Sequence, residues 1–254
     1  MIKIKTAEEI QLMREAGEIL AGVLDRLGEA LAPGMSTMEI NDLGEELIRK
    51  AGAIPSFLDY EGYPASICVS VNEEVVHGIP AEDRIIEEGD IVSLDAGVIW
   101  KGYQSDAARS FGIGKMNPKL TELMDVTRES FFAGIKMAKS GNYLHDISNA
   151  ISDHIRPYGF GIVKQLTGHG IGKDMHEDPI IPNYRKLSRG PLLKPGMTLA
   201  IEPMVNLGTW KVGILEDGWT IVTLDGKPSA HYENTVLITE GEPEILSLTD
   251  QKAE

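Results

Sequence analysis

The sequence has only one cysteine, Cys68, among 254 residues, so no internal disulfide can form. Low cysteine content is typical of proteins from a reducing compartment. No segment approaches the roughly 20 apolar residues that a membrane-spanning helix needs. The first ten residues, MIKIKTAEEI, also lack the apolar stretch of a secretory signal peptide. We therefore expect a cytoplasmic protein with no membrane segment.

Basic residues are scarce as well: 24 Lys and Arg stand against 39 Asp and Glu, for a formal net charge of −15. Nucleic-acid binding depends on a basic surface, so this balance argues against such a partner, and no nucleic-acid-binding motif is present. The sequence also lacks the G-x-S-x-G, P-loop and H-E-x-x-H motifs. These absences exclude several common classes of hydrolase and nucleotide-binding protein.

The order of structural patterns is helix, helix, strands, and then the same again. Capping boxes at Thr6–Glu9 and Ser36–Glu39 precede amphipathic helical patterns. Strand-like runs follow, and after a second pair of helical patterns they return as GMTLAIEPMVN, WTIVTLD and HYENTVLIT. Matching residues recur 107 positions later: Gly34 with Gly141, Ile40 with Ile147, Gly89 with Gly196, and Asp95 with Glu202.

Chance similarity between apolar strands is one explanation of these matches. We favour a single domain over residues 1–254 that contains a duplicated α+β unit, at approximately 6–112 and 117–240. Sites in such folds tend to form between the halves.

Four acids interrupt apolar strand patterns: Asp95 in IVSLDAG, Asp106 in YQSDAARSF, Glu202 in AIEPMV and Glu233 in HYENTVLIT. A buried acid is costly unless it is paired or binds a metal. For any one of them, a surface charge or a satisfied polar group is the simpler interpretation. Two pairs in duplicated positions favour a metal site instead. With His169 from LTGHGIGKDMHEDP, the set suits a pair of divalent ions.

His77 and His176 are the remaining histidines of interest. Each follows the pattern of a loop residue, and a hydrogen-bonded loop histidine is as good an interpretation as a functional one. Cys68 has no catalytic-dyad pattern nearby, so it is better explained as a small buried or pocket-lining side chain.

The motifs SLDAG, SDAARSF, GHGIG, HEDP, IEPM, DGWT and HYENT, in this order, resemble those of the methionine aminopeptidases over nearly the whole chain. The resemblance is to the type I, short, prokaryote-style form. It implies the α+β pita-bread fold, with two pseudo-symmetric halves, a curved antiparallel sheet covered by helices, and a dinuclear metal site between the halves. The implied metal ligands are Asp95, Asp106, His169, Glu202 and Glu233, and the two ions could be Co, Mn, Fe, Zn or Ni.

The same resemblance implies removal of the N-terminal methionine from peptides and nascent proteins, with preference for a small second residue. Glu202 resembles the general base and His176 the residue that stabilises the oxyanion. His77 resembles the residue that holds the peptide nitrogen or the scissile amide. The implied substrate pocket consists of Tyr60, Tyr63, Cys68, His77, Met175, His176 and Trp219. Met175 stands where many relatives carry an aromatic residue, so we expect a pocket of altered shape.

The implied partners are peptide or nascent-chain N-termini, with a transient ribosome contact, and we expect a monomer. Two other functions remain open. Aminopeptidase P and prolidase, which hydrolyse X-Pro bonds, share the fold and the five ligands but usually have an additional N-terminal domain. A non-catalytic binding protein with this fold is expected to have lost several of the ligands.

Overall fold

The computed structural model describes residues 1–249. These residues form four α-helices: α1 Ala7–Ala30, α2 Thr37–Lys50, α3 Pro118–Ile135 and α4 Leu144–Ile155. The strands of the N-terminal part are β1 Ile54–Pro55, β2 Ile67–Val71, β3 Glu74–Val76, β4 Ile91–Trp100 and β5 Tyr103–Gly112. The later strands are β6 Gly161–Ile162, β7 Gly168–Gly170, β8 Glu177–Ile181, β9 Thr198–Ile201, β10 Met204–Asn206, β11 Val212–Ile214, β12 Ile221–Thr223, β13 Ser229–His231, β14 Glu233–Leu237 and β15 Glu244–Ile245.

The first two helices begin where their capping boxes predict. The Thr6 hydroxyl accepts the backbone N–H of Glu9 at 3.3 Å, and the Glu9 carboxylate accepts that of Thr6 at 2.8 Å. Ser36 and Glu39 make the same reciprocal pair at 3.1 and 2.8 Å. These bonds satisfy N–H groups that have no partner inside the helix.

One large antiparallel sheet forms the centre of the molecule. Seven of its strands follow the order β1-β4-β5-β14-β9-β7-β8, while β2 pairs with β4 and β15 with β14. Helices α1 and α2 pack on the part of the sheet around β2 and β4, and α3 and α4 pack around β9, which gives two main apolar clusters. The pairing of β5 with β14 joins the two parts, with Glu233 opposite Ala108.

Two predicted strands are each divided in the structure. GMTLAIEPMVN forms β9 and β10, separated by Glu202 and Pro203, because proline has no N–H to donate to a sheet. HYENTVLIT lies across β13 and β14, which are separated by Tyr232. Strand β10 pairs with β13 on one side and β6 on the other in a separate three-stranded sheet. Glu202 and Glu233 therefore lie where the chain passes between the large sheet and this smaller one.

A third sheet, in the order β11-β12-β3, connects strands from distant parts of the sequence. Its β11–β12 connection carries Trp219. Within residues 1–249, none of the helices has both the length and the apolar character required to cross a bilayer.

Candidate metal centre and adjoining pocket

The five predicted ligands come from five neighbouring positions in the large sheet. Asp95 and Asp106 lie on β4 and β5, Glu233 begins β14, His169 lies on β7 opposite Ala200 of β9, and Glu202 directly follows β9. The Nε2 atom of His169 is 3.6 Å from Oε1 of Glu202 and 3.8 Å from Oδ2 of Asp106. The sheet therefore brings all five side chains to one location.

The four carboxyl groups are surrounded by protein and by each other. Burial raises the pKa of Asp95 to about 7. Burial, together with repulsion from the neighbouring carboxylates, also raises the pKa of Asp106, Glu202 and Glu233. Three buried oxygens, Oδ1 of Asp95, Oδ1 of Asp106 and Oε1 of Glu233, have no hydrogen-bond partner. A cation at this location would satisfy those oxygens and remove the repulsion.

The orientation of His169 suits metal coordination. Its Nδ1 donates to the carbonyl oxygen of Gly170 at 2.9 Å, which leaves the lone pair of Nε2 facing the acids. Burial lowers the pKa of His169 to about 4, so the imidazole is neutral and able to coordinate. Neutral imidazole and carboxylate oxygens are suitable donors for divalent ions, and the residues present therefore fit a divalent metal centre.

A cavity of about 200 Å³ adjoins the acids. All seven residues predicted for the substrate pocket line it: Tyr60, Tyr63, Cys68, His77, Met175, His176 and Trp219. Apolar residues that the sequence did not single out, Phe57, Val76, Leu166 and Met204, complete its walls. The cavity thus combines apolar walls with a cluster of carboxylates at one side.

Tyr60 and His176 form a polar contact at the edge of this cavity. The Tyr60 hydroxyl lies 2.8 Å from Nδ1 of His176. Burial raises the pKa of Tyr60, so the phenol is un-ionised, and we propose the His176 tautomer in which the phenol donates to Nδ1. The proton of the neutral His176 ring then resides on Nε2. The His176 and His169 rings are 4.3 Å apart between centroids, which places His176 beside the acids.

Tyr63, Trp219 and His77 lie together in another part of the cavity wall. The Tyr63 hydroxyl donates to the carbonyl oxygen of Gly78 at 2.8 Å, and Trp219 packs edge-on against Tyr63 with 5.2 Å between ring centroids. His77 is 6.3 Å from Trp219 by the same measure, and burial lowers its pKa to about 4. Burial raises the pKa of Cys68 well above its usual value, so this thiol stays protonated and is a poor nucleophile.

Two residues next to the acids were not predicted from the sequence. His231 lines the cavity. In HYENT it stands two positions before Glu233, and this spacing is the sequence pattern that could have indicated a residue close to that acid. Arg109 is half-buried and donates to the Glu233 carbonyl oxygen and, at 2.6 Å, to Oδ1 of Asn234. No sequence pattern indicated this arginine.

A helix-covered antiparallel sheet with a buried carboxylate–imidazole cluster defines a metal-dependent enzyme of the pita-bread fold. The family model of metallopeptidase family M24 matches residues 11–240. The chain therefore belongs to metallopeptidase family M24.

Comparison with individual relatives shows which members of this family the chain resembles more. The chain is 52% identical over 250 residues to a methionine aminopeptidase of Clostridium acetobutylicum, covering 98% of this chain and all of that protein. The crystal structure of a methionine aminopeptidase from Thermotoga maritima is similar with a TM-score of 0.96 and 45% identity, covering 98% of this chain and all of that one. The prolidase of Pyrococcus furiosus is less similar, with a TM-score of 0.78 and 26% identity, covering 98% of this chain but 66% of that one.

Proposed function

We propose that this protein hydrolyses the first peptide bond of peptides and nascent proteins that begin with methionine, preferring those with a small second residue. The observation that carries this proposal is the 52% identity, over 98% of the chain, to a methionine aminopeptidase. The apolar cavity beside the buried acids supports it, because such a cavity suits a methionine side chain next to a hydrolytic centre.

Asp95, Asp106, His169, Glu202 and Glu233 would hold two divalent ions. Three of these residues carry the buried oxygens that have no other partner, and His169 faces Asp106 and Glu202. When bound, the ions supply Lewis acidity that polarises the scissile carbonyl and makes a water molecule more acidic. Co, Mn, Fe, Zn and Ni are the candidate metals.

Glu202 is the proposed general base. Unlike the acids within β4, β5 and β14, it follows the end of a strand and is only partly buried, so its carboxylate can reach a water molecule in the cavity. It accepts a proton from the attacking water, whose oxygen bonds to the carbonyl carbon. The C–N bond breaks, and a proton is delivered to the departing amine. The products are free methionine and the shortened chain.

His176 and His77 both line the cavity and act on the substrate. Because the Tyr60 hydroxyl occupies Nδ1 of His176, its Nε2–H is free to donate to the carbonyl oxygen as negative charge develops there. His77, on the wall with Trp219, contacts the scissile amide. Tyr63, Cys68, Met175 and Trp219 surround the methionine side chain. The flexible thioether of Met175 adapts the pocket where an aromatic ring would be rigid.

We also propose that the protein acts as a monomer in the cytoplasm and contacts the ribosome transiently. The single cysteine, which is buried and unpaired, agrees with a reducing compartment.

The test is a cleavage assay on metal-free protein reconstituted with each candidate metal. Matched peptides Met-Ala-Ser, Met-Leu-Ser and Leu-Ala-Ser, together with X-Pro peptides lacking methionine, separate the possible functions. We expect turnover of Met-Ala-Ser only when metal is present. Preference for X-Pro peptides would indicate a prolidase-like enzyme. Absence of all cleavage by metal-loaded protein would indicate a binding protein.

A further inference from the structure

His231 has no role in the mechanism above, yet it lies at the centre of the molecule. Its side chain is 2% exposed, and neither Nδ1 nor Nε2 has a hydrogen-bond partner. A buried imidazole in this state has lost its hydration without any compensating bond, which is unfavourable. Such a group needs a partner that the polypeptide does not provide.

The backbone holds this ring in place. The N–H of His231 donates to the Ser110 hydroxyl at 2.8 Å, and that hydroxyl donates to the His231 carbonyl oxygen at 3.0 Å. His231 also pairs with Met204 across the β10–β13 ladder. The backbone of His231 is therefore held between β5 and β10, which limits the positions that the ring can reach.

The ring is positioned next to the acids. Its Nε2 lies 3.7 Å from Oε2 of Glu233, which is too far for a hydrogen bond. Two groups of residues could each hold a metal ion: Asp95, His231 and Glu233 form one, and Asp106, His169 and Glu233 form the other. Within each group, the potential ligand atoms lie within 4.8 Å of one another. Each group has one imidazole and two carboxylates, and Glu233 is common to both.

A neutral imidazole has a nitrogen lone pair that can coordinate a metal ion. The charge balance also permits a further neutral ligand, because four carboxylates already match the charge of two divalent ions. A neutral imidazole adds a donor without adding charge.

We propose that His231 coordinates the ion held by Asp95 and Glu233, so that each of the two ions has one imidazole ligand. This inference rests on the proposed dinuclear site. It adds a sixth protein ligand to the five that the sequence predicts.

The test combines metal titration with spectroscopy on the full chain. Metal-free wild type, His231→Gln and His231→Leu are titrated with Co²⁺ by calorimetry, with His154→Gln as the control. His154 lies on α4 and interacts with Glu129, outside the metal centre. We expect two ions in the wild type and in the control. Both His231 variants should bind one of the ions about 10- to 100-fold more weakly, the range typical for loss of a metal-supporting group.

Proton NMR of the Co²⁺-loaded wild type gives a second readout that does not require a variant to fold. Coordinated imidazoles show strongly shifted, exchangeable N–H signals. We expect two such signals, from His169 and His231, and one in His231→Gln. A wild type that binds two ions but shows one imidazole signal overturns the His231 assignment while leaving the dinuclear site intact. A wild type that binds a single ion overturns the dinuclear site itself, and the assignment with it.

Discussion

Four carboxyl groups in one small buried volume compete with each other for ionisation. Asp95 illustrates this, because burial raises its pKa to about 7. Below that pH the metal-free protein mostly keeps a proton on this carboxyl, and an incoming metal must displace it. His169 does not compete in this range, because its pKa is lowered to about 4 and the ring is already neutral.

Metal affinity should therefore decrease as the pH falls from about 7.5 to about 5.5, and the number of protons released per ion should increase. Calorimetric titrations in two buffers of different ionisation enthalpy measure both quantities. An affinity that is constant over this range, with no proton release, would contradict the raised pKa of the acids.

His176→Ala should lower kcat by about 10²–10³, the range for loss of one oxyanion-stabilising donor. KM should change much less, since the bond is strengthened only in the transition state. Steady-state kinetics with metal analysis measures these effects. Loss of bound metal as the main defect would show that His176 is a ligand or a structural group.

Tyr60→Phe should have a smaller effect of the same kind. Without the phenol, Nδ1 of His176 loses its partner and the ring can take either tautomer. We expect kcat to fall by about tenfold, which corresponds to a hydrogen bond of about 1.4 kcal/mol, with metal content unchanged. A change confined to KM would indicate that Tyr60 contacts substrate without orienting His176.

For individual residues of the site, the sequence predicts the residue types better than the contacts between them. The acids were visible because charge in an apolar strand is unusual. The bond between Tyr60 and His176 joins two loops that are 116 residues apart, and no local pattern indicates it. His231 was missed because a single histidine near a strand end has many ordinary explanations.

Helix α1 contains two glycines, Gly17 and Gly22, whose surroundings differ and can be compared directly. A Cβ on Gly17 would collide with the backbone carbonyl of Leu246, whereas a Cβ on Gly22 would meet nothing within 4 Å. Gly17 therefore allows α1 to lie directly against the chain that follows β15. Gly22 has no such role, so alanine should be tolerated there.

Gly17→Ala should lower the free energy of unfolding by about 1–3 kcal/mol, as for other overpacked positions. Gly22→Ala should raise it by up to about 1 kcal/mol, because alanine favours the helix. Denaturant unfolding of both variants measures the difference. Equal effects would show that α1 does not depend on this close approach.

The helices were predicted more accurately than the strands. Capping boxes are local, and both residues of each box lie within one turn. The strand breaks at Pro203 and Tyr232 depend on which strands pair, since β9 and β14 belong to the large sheet while β10 and β13 form another. Such pairing involves distant residues, so a strand pattern alone cannot show where a strand changes sheets.

Across the whole molecule, the two parts of the chain share local features at the predicted spacing. Isolated bridges join Ser36 with Ile85 and Tyr143 with Leu192, and both members of the second bridge are 107 positions after those of the first. Gly34 and Gly141 both have positive φ, as do Gly89 and Gly196. These matches support a duplicated unit within a single domain, which stays a prediction from the sequence.

Because the proposed ligands come from both parts, bound metal should stabilise the entire chain. At a free metal concentration 100 times Kd the gain is about 2.7 kcal/mol. For a chain of this size, that gain raises Tm by about 5–11 °C. Calorimetry with and without chelator measures the shift, and Asp106→Asn serves as the comparison. An equally large shift in Asp106→Asn would contradict a role for Asp106 in metal binding.

The pairing of β5 with β14 also determines when the metal centre can form during synthesis of the protein. Across this pairing, the Thr235 hydroxyl donates to the Asp106 carbonyl oxygen over 129 residues of sequence. A ribosome must therefore translate nearly the whole chain before β14 can join the sheet. Until then, the growing chain carries Asp95 and Asp106 without Glu233, so we expect the proposed metal centre to form in the last stage of folding. Chains that stop before β14 should neither close the central sheet nor retain metal.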